Sequence, residues 1–138
     1  LNRTFQDPLC RHNTLHIYGT LDHEAMNEAA GYFEGTHDFT SFASVGYSSK
    51  TPVRTIYAAS VTKSGDIIKF SVTGNGFLYN MVRIIAGTLL DIGNGLLDVD
   101  VIDRALASCD RSDAGPTAPA NGLTMIGIYI PEIDIQEV

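Results

Sequence analysis

The 138 residues suffice for one domain with a sizeable core, and 44% hydrophobic content fits a globular chain. The net charge of -7 argues against a generally nucleic-acid-binding surface, and no run of about 18 apolar residues marks a membrane span. Two cysteines, Cys10 and Cys109, make neither a metal site nor a disulfide framework and read as free thiols of a reducing cytosol.

Leu1 rather than Met opens the sequence, and no apolar signal core follows it, so an excised or processed piece of a longer protein is expected. Residues 1–20 read as a leading segment that ends in a short strand over 14–18. Asp22 is placed to cap a helix carrying Ala25, Met26, Ala29, Ala30 and Phe33 at helical spacing, with Gly35 as its stop. His37 to Phe42 form a compact knot. Residues 44–51, rich in Ser and Gly, form a surface loop closed by Pro52.

Two strands follow, over 54–63 and 66–73, joined by a turn at Ser64-Gly65. In the second, Ile68, Phe70 and Val72 point to a covered face, and Ile67, Lys69, Ser71 and Thr73 to an open one. A helix over 78–92 comes next. Asp98 or Asp100 caps another, through Ile102, Ala105 and Leu106. Residues 114–121 are a Pro/Ala loop. Residues 124–130 form a last strand that turns Ile126, Ile128 and Ile130 to the core, ahead of an acidic tail. This order implies an α+β fold: a mainly antiparallel sheet with helices packed on one face, in a single domain over 1–138.

The acidity is uneven. Nine acids lie from Asp91 onward against Arg104 and Arg111, while seven acids and seven bases precede them. A nucleic-acid face, if present, therefore belongs to the earlier part. There the cations are Arg3, Arg11, Lys50, Arg54, Lys63, Lys69 and Arg83.

The stretch Gly74 to Gly93 carries the most information. Arg83 sits in a helix that is apolar on nearly every side, beside Val82, Ile84, Ile85 and Ala86. A guanidinium keeps its charge at any working pH. It therefore either pairs with a carboxylate or snorkels to water along its stem. Gly74-Asn75-Gly76 before this helix could cradle a phosphate, but a strand-to-helix turn needing positive φ explains it more simply. Phe77 and Tyr79 could stack on bases or simply join the core. His37-Asp38 could be a base with its orienting carboxylate, but no nucleophile is spaced to serve it, and a corner-holding histidine is the plainer reading. His12, His16 and His23 show no metal-ligand spacing.

Several ordered blocks resemble the second domain of the TruA-type tRNA pseudouridine synthases. They are His37-Asp38-Phe39-Thr40-Ser41-Phe42, Arg54-Thr55-Ile56, Gly74-Asn75-Gly76-Phe77-Leu78-Tyr79-Asn80-Met81-Val82-Arg83, Gly87-Thr88-Leu89, and the run from Gly115 to Leu123. The resemblance implies a ferredoxin-like or RRM-like half of a two-domain enzyme that uses no cofactor and no metal. That enzyme isomerises uridine to pseudouridine at positions 38–40 of the tRNA anticodon stem-loop. It implies that Arg83 pairs with a catalytic aspartate of an N-terminal R-T-D-A-G-V-H motif. It also implies that Leu123 floors the flipped uracil, and that Phe77, Tyr79 and Asn80 belong to the substrate site. The family further implies a cytoplasmic homodimer whose partners are tRNA and its own N-terminal domain, with no membrane. That domain is absent from this sequence, so the chain alone is expected to be inactive. Arg111-Ser112-Asp113-Ala114-Gly115 imitates the catalytic motif but lacks Val-His and runs into the Pro/Ala loop, so Asp113 reads as a solvated turn residue. A non-catalytic RNA-binding module and a dimerisation domain stay open as alternatives.

Overall fold

A computed structural model describes residues 1–46 and 50–130. The middle of the expected 44–51 loop, residues 47–49, and the acidic tail over 131–138 lie outside that range. The architecture is α+β: a three-stranded antiparallel sheet with three helices. Among the described residues, no helix is long and apolar enough to cross a membrane.

Helix α1 (His23–Gly31) begins where Asp22 accepts a hydrogen bond from the Ala25 amide at 3.0 Å, as its N-cap position predicts. Its apolar stripe buries Met26, Ala29 and Ala30. The chain leaves the helix four residues before the expected stop. Gly35, at φ +104°, instead opens strand β1 (Gly35–Asp38). The expected knot thus splits into this strand and a 3₁₀ turn, Thr40–Phe42. Phe39 and Phe42 are fully buried, and the Phe33 and Phe42 rings meet edge-to-face at 5.0 Å.

Strand β2 (Val53–Ser64) pairs with β1 on one side and with β3 (Ile67–Gly74) on the other. Its burial breaks the simple period of two, because Ile56, Ala59 and Val61 are all buried. A bulge between Ile56 and Ala58 inserts one extra residue and flips the phase. In β3 the expected alternation holds, with Ile68, Phe70 and Val72 packed against the core. The β2 edge beyond β1 is sealed by side chains from α1 and from the segment just after it. The Ala59 amide donates to Glu34 Oε1 at 3.1 Å, and the Val61 amide to Asn27 Oδ1 at 2.9 Å. No backbone hydrogen bond reaches β3 on its outer side among the described residues.

Helix α2 (Met81–Gly93) starts three residues later than predicted and buries Met81, Ile84, Ile85, Leu89 and Ile92. Helix α3 (Val101–Ser108) follows. Asp100 occupies its N-cap position but makes no side-chain capping bond. Ser41 is fully buried, and its hydroxyl donates to the Ala105 carbonyl of α3. Sheet and helices share one hydrophobic cluster.

Two expected strands are not formed. Residues 14–18 contribute only an isolated bridge between Asn2 and Ile17. There the leading segment folds on itself, with the Ile17 amide donating to the Leu1 carbonyl. Residues 124–130 are exposed rather than buried: Ile126, Ile128 and Ile130 are each more than two-thirds accessible. The alternating pattern is present, but a strand needs a hydrogen-bonded partner, and among the described residues no backbone hydrogen bond pairs this segment with another.

Candidate functional site

The site is built around the first turns of α2. The β3 strand ends at Gly74, where an added Cβ would lie 2.8 Å from the Thr55 carbonyl oxygen. The Asn75 amide donates to that same carbonyl at 3.0 Å, and the Thr55 amide donates to Asn75 Oδ1 at 2.9 Å. Close approach of backbones, not positive φ, is therefore what demands glycine at position 74. The helix starts only at Met81, so Gly74-Asn75-Gly76 does not stand at a helix N-terminus and forms no phosphate cradle of that kind.

The left-handed residue is Asn80, with φ 59° and ψ 9°. Asparagine is one of the few residues other than glycine that tolerates this conformation. Before it the chain alternates: Leu78 is buried, while Phe77 and Tyr79 are 42% and 56% exposed. Both aromatics thus present a face to solvent rather than joining the core. The Asn80 amide nitrogen donates to Ser44 Oγ at 3.1 Å, and its oxygen accepts from Arg83 Nη1 at 3.2 Å.

Arg83 is half-buried on the wall of a cavity of about 390 Å³. Its Nε donates to the Ala118 carbonyl at 2.8 Å, and the Ala118 amide donates back to the Arg83 carbonyl at 3.0 Å. Among the described residues no carboxylate lies within ion-pair distance of it; the ion pairs there are Arg3–Asp7 and Arg104–Asp100. Neutral oxygens thus orient the guanidinium without cancelling its charge. Leu123, 53% exposed, lines the same cavity together with Val82, Ala86 and Ala118. Phe77, Tyr79 and Asn80 are not among the cavity-lining residues.

The loop that carries Ala118 is locked onto α2. A Cβ on Gly87 would collide with the Pro116 carbonyl, so only glycine admits the loop there. Buried Thr88 accepts from the Gly115 amide at 2.9 Å and donates to the Ile84 carbonyl at 2.8 Å. Arg111 closes the loop from outside, donating to the Gly115 carbonyl at 2.8 Å and to Thr117 Oγ1 at 3.3 Å. Gly122 needs its lack of a side chain twice over: φ is +83°, and an added Cβ would sit 3.2 Å from the Asn13 carbonyl oxygen.

The sequence names Thr88 and Ala118 within matching blocks and Arg111 within the look-alike motif, but gives none of them a role at the site. A glycine inside a helix is the signal that could have found the docked loop, because it costs about 1 kcal/mol against alanine unless packing requires it. The look-alike Asp113 is exposed in a 3₁₀ turn, Arg111–Asp113. His37 bonds the Glu34 carbonyl through Nε2 at 2.8 Å, and Asp38 Oδ1 accepts from the Thr40 amide at 2.9 Å. Both hold the corner, and no hydrogen bond joins them. The Cys109 thiol, raised by desolvation and by nearby Asp38, is poorly disposed to ionise.

A family model described as tRNA pseudouridine synthase matches residues 29–129. The chain belongs to the tRNA pseudouridine synthase family. It is 49% identical over 128 residues to tRNA pseudouridine synthase A of Acetivibrio thermocellus, covering 93% of this chain and 52% of that protein. The synthase A of Brevibacillus brevis is 52% identical over 110 residues, covering 80% of this chain and 45% of its own. That of Geotalea uraniireducens is 42% identical over 128 residues, at 93% and 52% coverage. The chain spans about half the length of the curated relatives it matches. The matched region of the pseudouridine synthase family takes in α2, Arg83 and the loop through Leu123.

Proposed function

We propose that this chain is the half of a tRNA pseudouridine synthase that supplies the arginine partner of the catalytic aspartate and one wall of the RNA cleft. The whole enzyme then isomerises uridines 38–40 of the anticodon stem-loop. The observation that carries the reading is Arg83: a half-buried charge aimed along a cavity wall by neutral oxygens, with no carboxylate beside it among the described residues. A carboxylate brought against that guanidinium stays ionised, because the neighbouring cation lowers its pKa. The same contact holds its oxygen close to the sugar or base carbon where the glycosidic bond is broken and remade. Leu123, on the same cavity, offers an apolar floor for a uracil taken out of its stack. Phe77 and Tyr79 present aromatic faces outward within reach of unpaired bases.

In this reading the partners are the tRNA, an N-terminal half that brings the aspartate, and a second subunit of a cytoplasmic homodimer. The 138-residue chain on its own makes no pseudouridine. In the full-length enzyme, Arg83→Ala lowers pseudouridine formation in a tRNA transcript by about 10³-fold, the scale of losing one preorganised donor. Binding of the transcript, followed by gel shift, stays within a few-fold. Arg83→Lys recovers little, since a point charge does not reproduce the planar fork. Near-normal turnover in either variant removes the assigned role. Pseudouridine made by the isolated chain returns attention to Asp113. The exposed apolar residues of 124–130 favour a second reading, a protein-docking module. Full activity of Arg83→Ala would leave that reading standing.

A further inference from the structure

We propose that Asn80 is a positioning residue for Arg83: its amide oxygen sets the plane of the guanidinium, so that Nη2 and the remaining N–H of Nη1 form the edge that receives a carboxylate. The inference rests on the reading above, in which Arg83 meets an aspartate from another part of the enzyme.

A guanidinium carries five N–H groups in one rigid plane. Ala118 takes the one on Nε and Asn80 takes one on Nη1. Two contacts on a rigid plane fix its rotation about the side-chain stem. Both on Nη2 and one on Nη1 are then directed as a unit.

Each acceptor is itself immobilised. The Ala118 carbonyl belongs to the loop that Gly87 and Thr88 dock on α2. Asn80 is held at its backbone by the left-handed turn and at its side chain by Ser44 Oγ, while the Ser44 amide donates to the Tyr79 carbonyl at 3.0 Å. Asn80 stands three residues before Arg83, the spacing at which helical neighbours share a face.

The residue type is informative. Asparagine and aspartate both tolerate the left-handed conformation. Only the neutral amide orients the guanidinium and leaves its full charge for an incoming carboxylate. An aspartate here would form an internal pair and compete with the catalytic one.

The test compares Asn80→Asp, Asn80→Gly and Ser44→Ala in the full-length enzyme, with Arg83→Ala alongside. Asn80→Asp keeps the shape and is expected to lower kcat about 100-fold, the penalty that small misplacement of a reacting group brings. Asn80→Gly keeps the backbone conformation, loses the acceptor, and lowers kcat by about tenfold on the same scale. Ser44→Ala frees the Asn80 side chain without touching its backbone, and lowers kcat by roughly threefold, a smaller loss of the same kind. In all three, KM for tRNA stays within about twofold, since the effect acts on positioning and not on uniform binding. Wild-type kcat in Asn80→Asp and Asn80→Gly overturns the proposal. A loss that appears in KM instead also overturns it, by showing that Asn80 touches tRNA directly. If both Asn80 variants fail to fold, Ser44→Ala decides: an unchanged kcat there overturns the proposal. Loss of activity in Arg83→Ala with normal Asn80 variants defeats the positioning role alone, whereas an active Arg83→Ala defeats the functional reading beneath it.

Discussion

Single residues in this chain act through what they leave unsatisfied. Arg83 was legible in the sequence because a charge among Val82, Ile84 and Ile85 has to be accounted for. The groups that hold it were not. One is a backbone carbonyl, at Ala118, 35 residues farther along, and a carbonyl has no letter in a sequence. The other, Asn80, reads as an ordinary polar residue until its left-handed backbone is seen. Asp91, in the last turn of α2, shows a different residue-scale effect. Desolvation raises its pKa above the ordinary carboxylate value, so the folded state binds its proton more tightly than the unfolded state does. Stability is therefore lost as pH rises through the carboxylate range, and the penalty is absent below it. The negative end of the helix dipole adds in the same sense. Asp91→Asn is expected to raise the melting temperature at pH 7 and to leave it unchanged near pH 3. An equal gain at both pH values would show that the charge is not the cause.

At the scale of elements, the fit of α2 to the 115–118 loop links packing to the site. Gly87 exists to let the Pro116 carbonyl lie against the helix, and that contact places Ala118 under Arg83. Gly87→Ala would gain helix propensity of about 1 kcal/mol but force the loop off its seat. Overpacking against backbone costs on the order of 1–3 kcal/mol or more. The net expectation is a lower denaturation midpoint in urea, together with lost turnover in the full-length enzyme. A midpoint at or above wild type would mean that the loop is not seated as described. The elements easiest to read were those with local signals: α1 with its Asp22 cap, the β2–β3 hairpin with Gly65 at φ +58°, and α2 with its apolar run. Strand β1 was missed because Gly-Thr-His-Asp has no apolar alternation and exists only through pairing with β2. The start of α2 was misplaced because Leu78 looks helical by type, yet lies in a turn ahead of a left-handed residue.

For the whole molecule, the α+β class followed from element order, while sheet extent did not. Residues 124–130 have the composition of a strand, but a strand is a relation between two segments and cannot be read from one. Their exposed isoleucines, with Met125 and Tyr129, put a run of large apolar side chains in solvent, and exposed apolar surface of this kind drives association. The isolated 138-residue chain is therefore expected to sediment as more than a monomer with rising concentration. Replacing Ile126 and Ile128 by lysine should restore a monomer with little change in melting temperature. A wild-type chain that stays monomeric across that range would count against an adhesive segment.

The two borders of the sheet are treated differently, and this gives the fold a direction. On the β2 side, Asn27 and Glu34 use their side chains to occupy amides that another strand would have claimed. Asn27 lies on α1 and Glu34 just after it, and Met26, Ala29, Ala30 and Phe33 of the same stretch are buried in the core, so that border is tied to the interior. On the β3 side the leading segment touches only the residue before the strand, where the Asn2 amide donates to the Asp66 carbonyl at 2.7 Å, and among the described residues no backbone hydrogen bond caps β3 itself. Beside the locked stretch of β2, β3 is an edge from which this sheet can be enlarged, by a neighbouring stretch of polypeptide or by a partner.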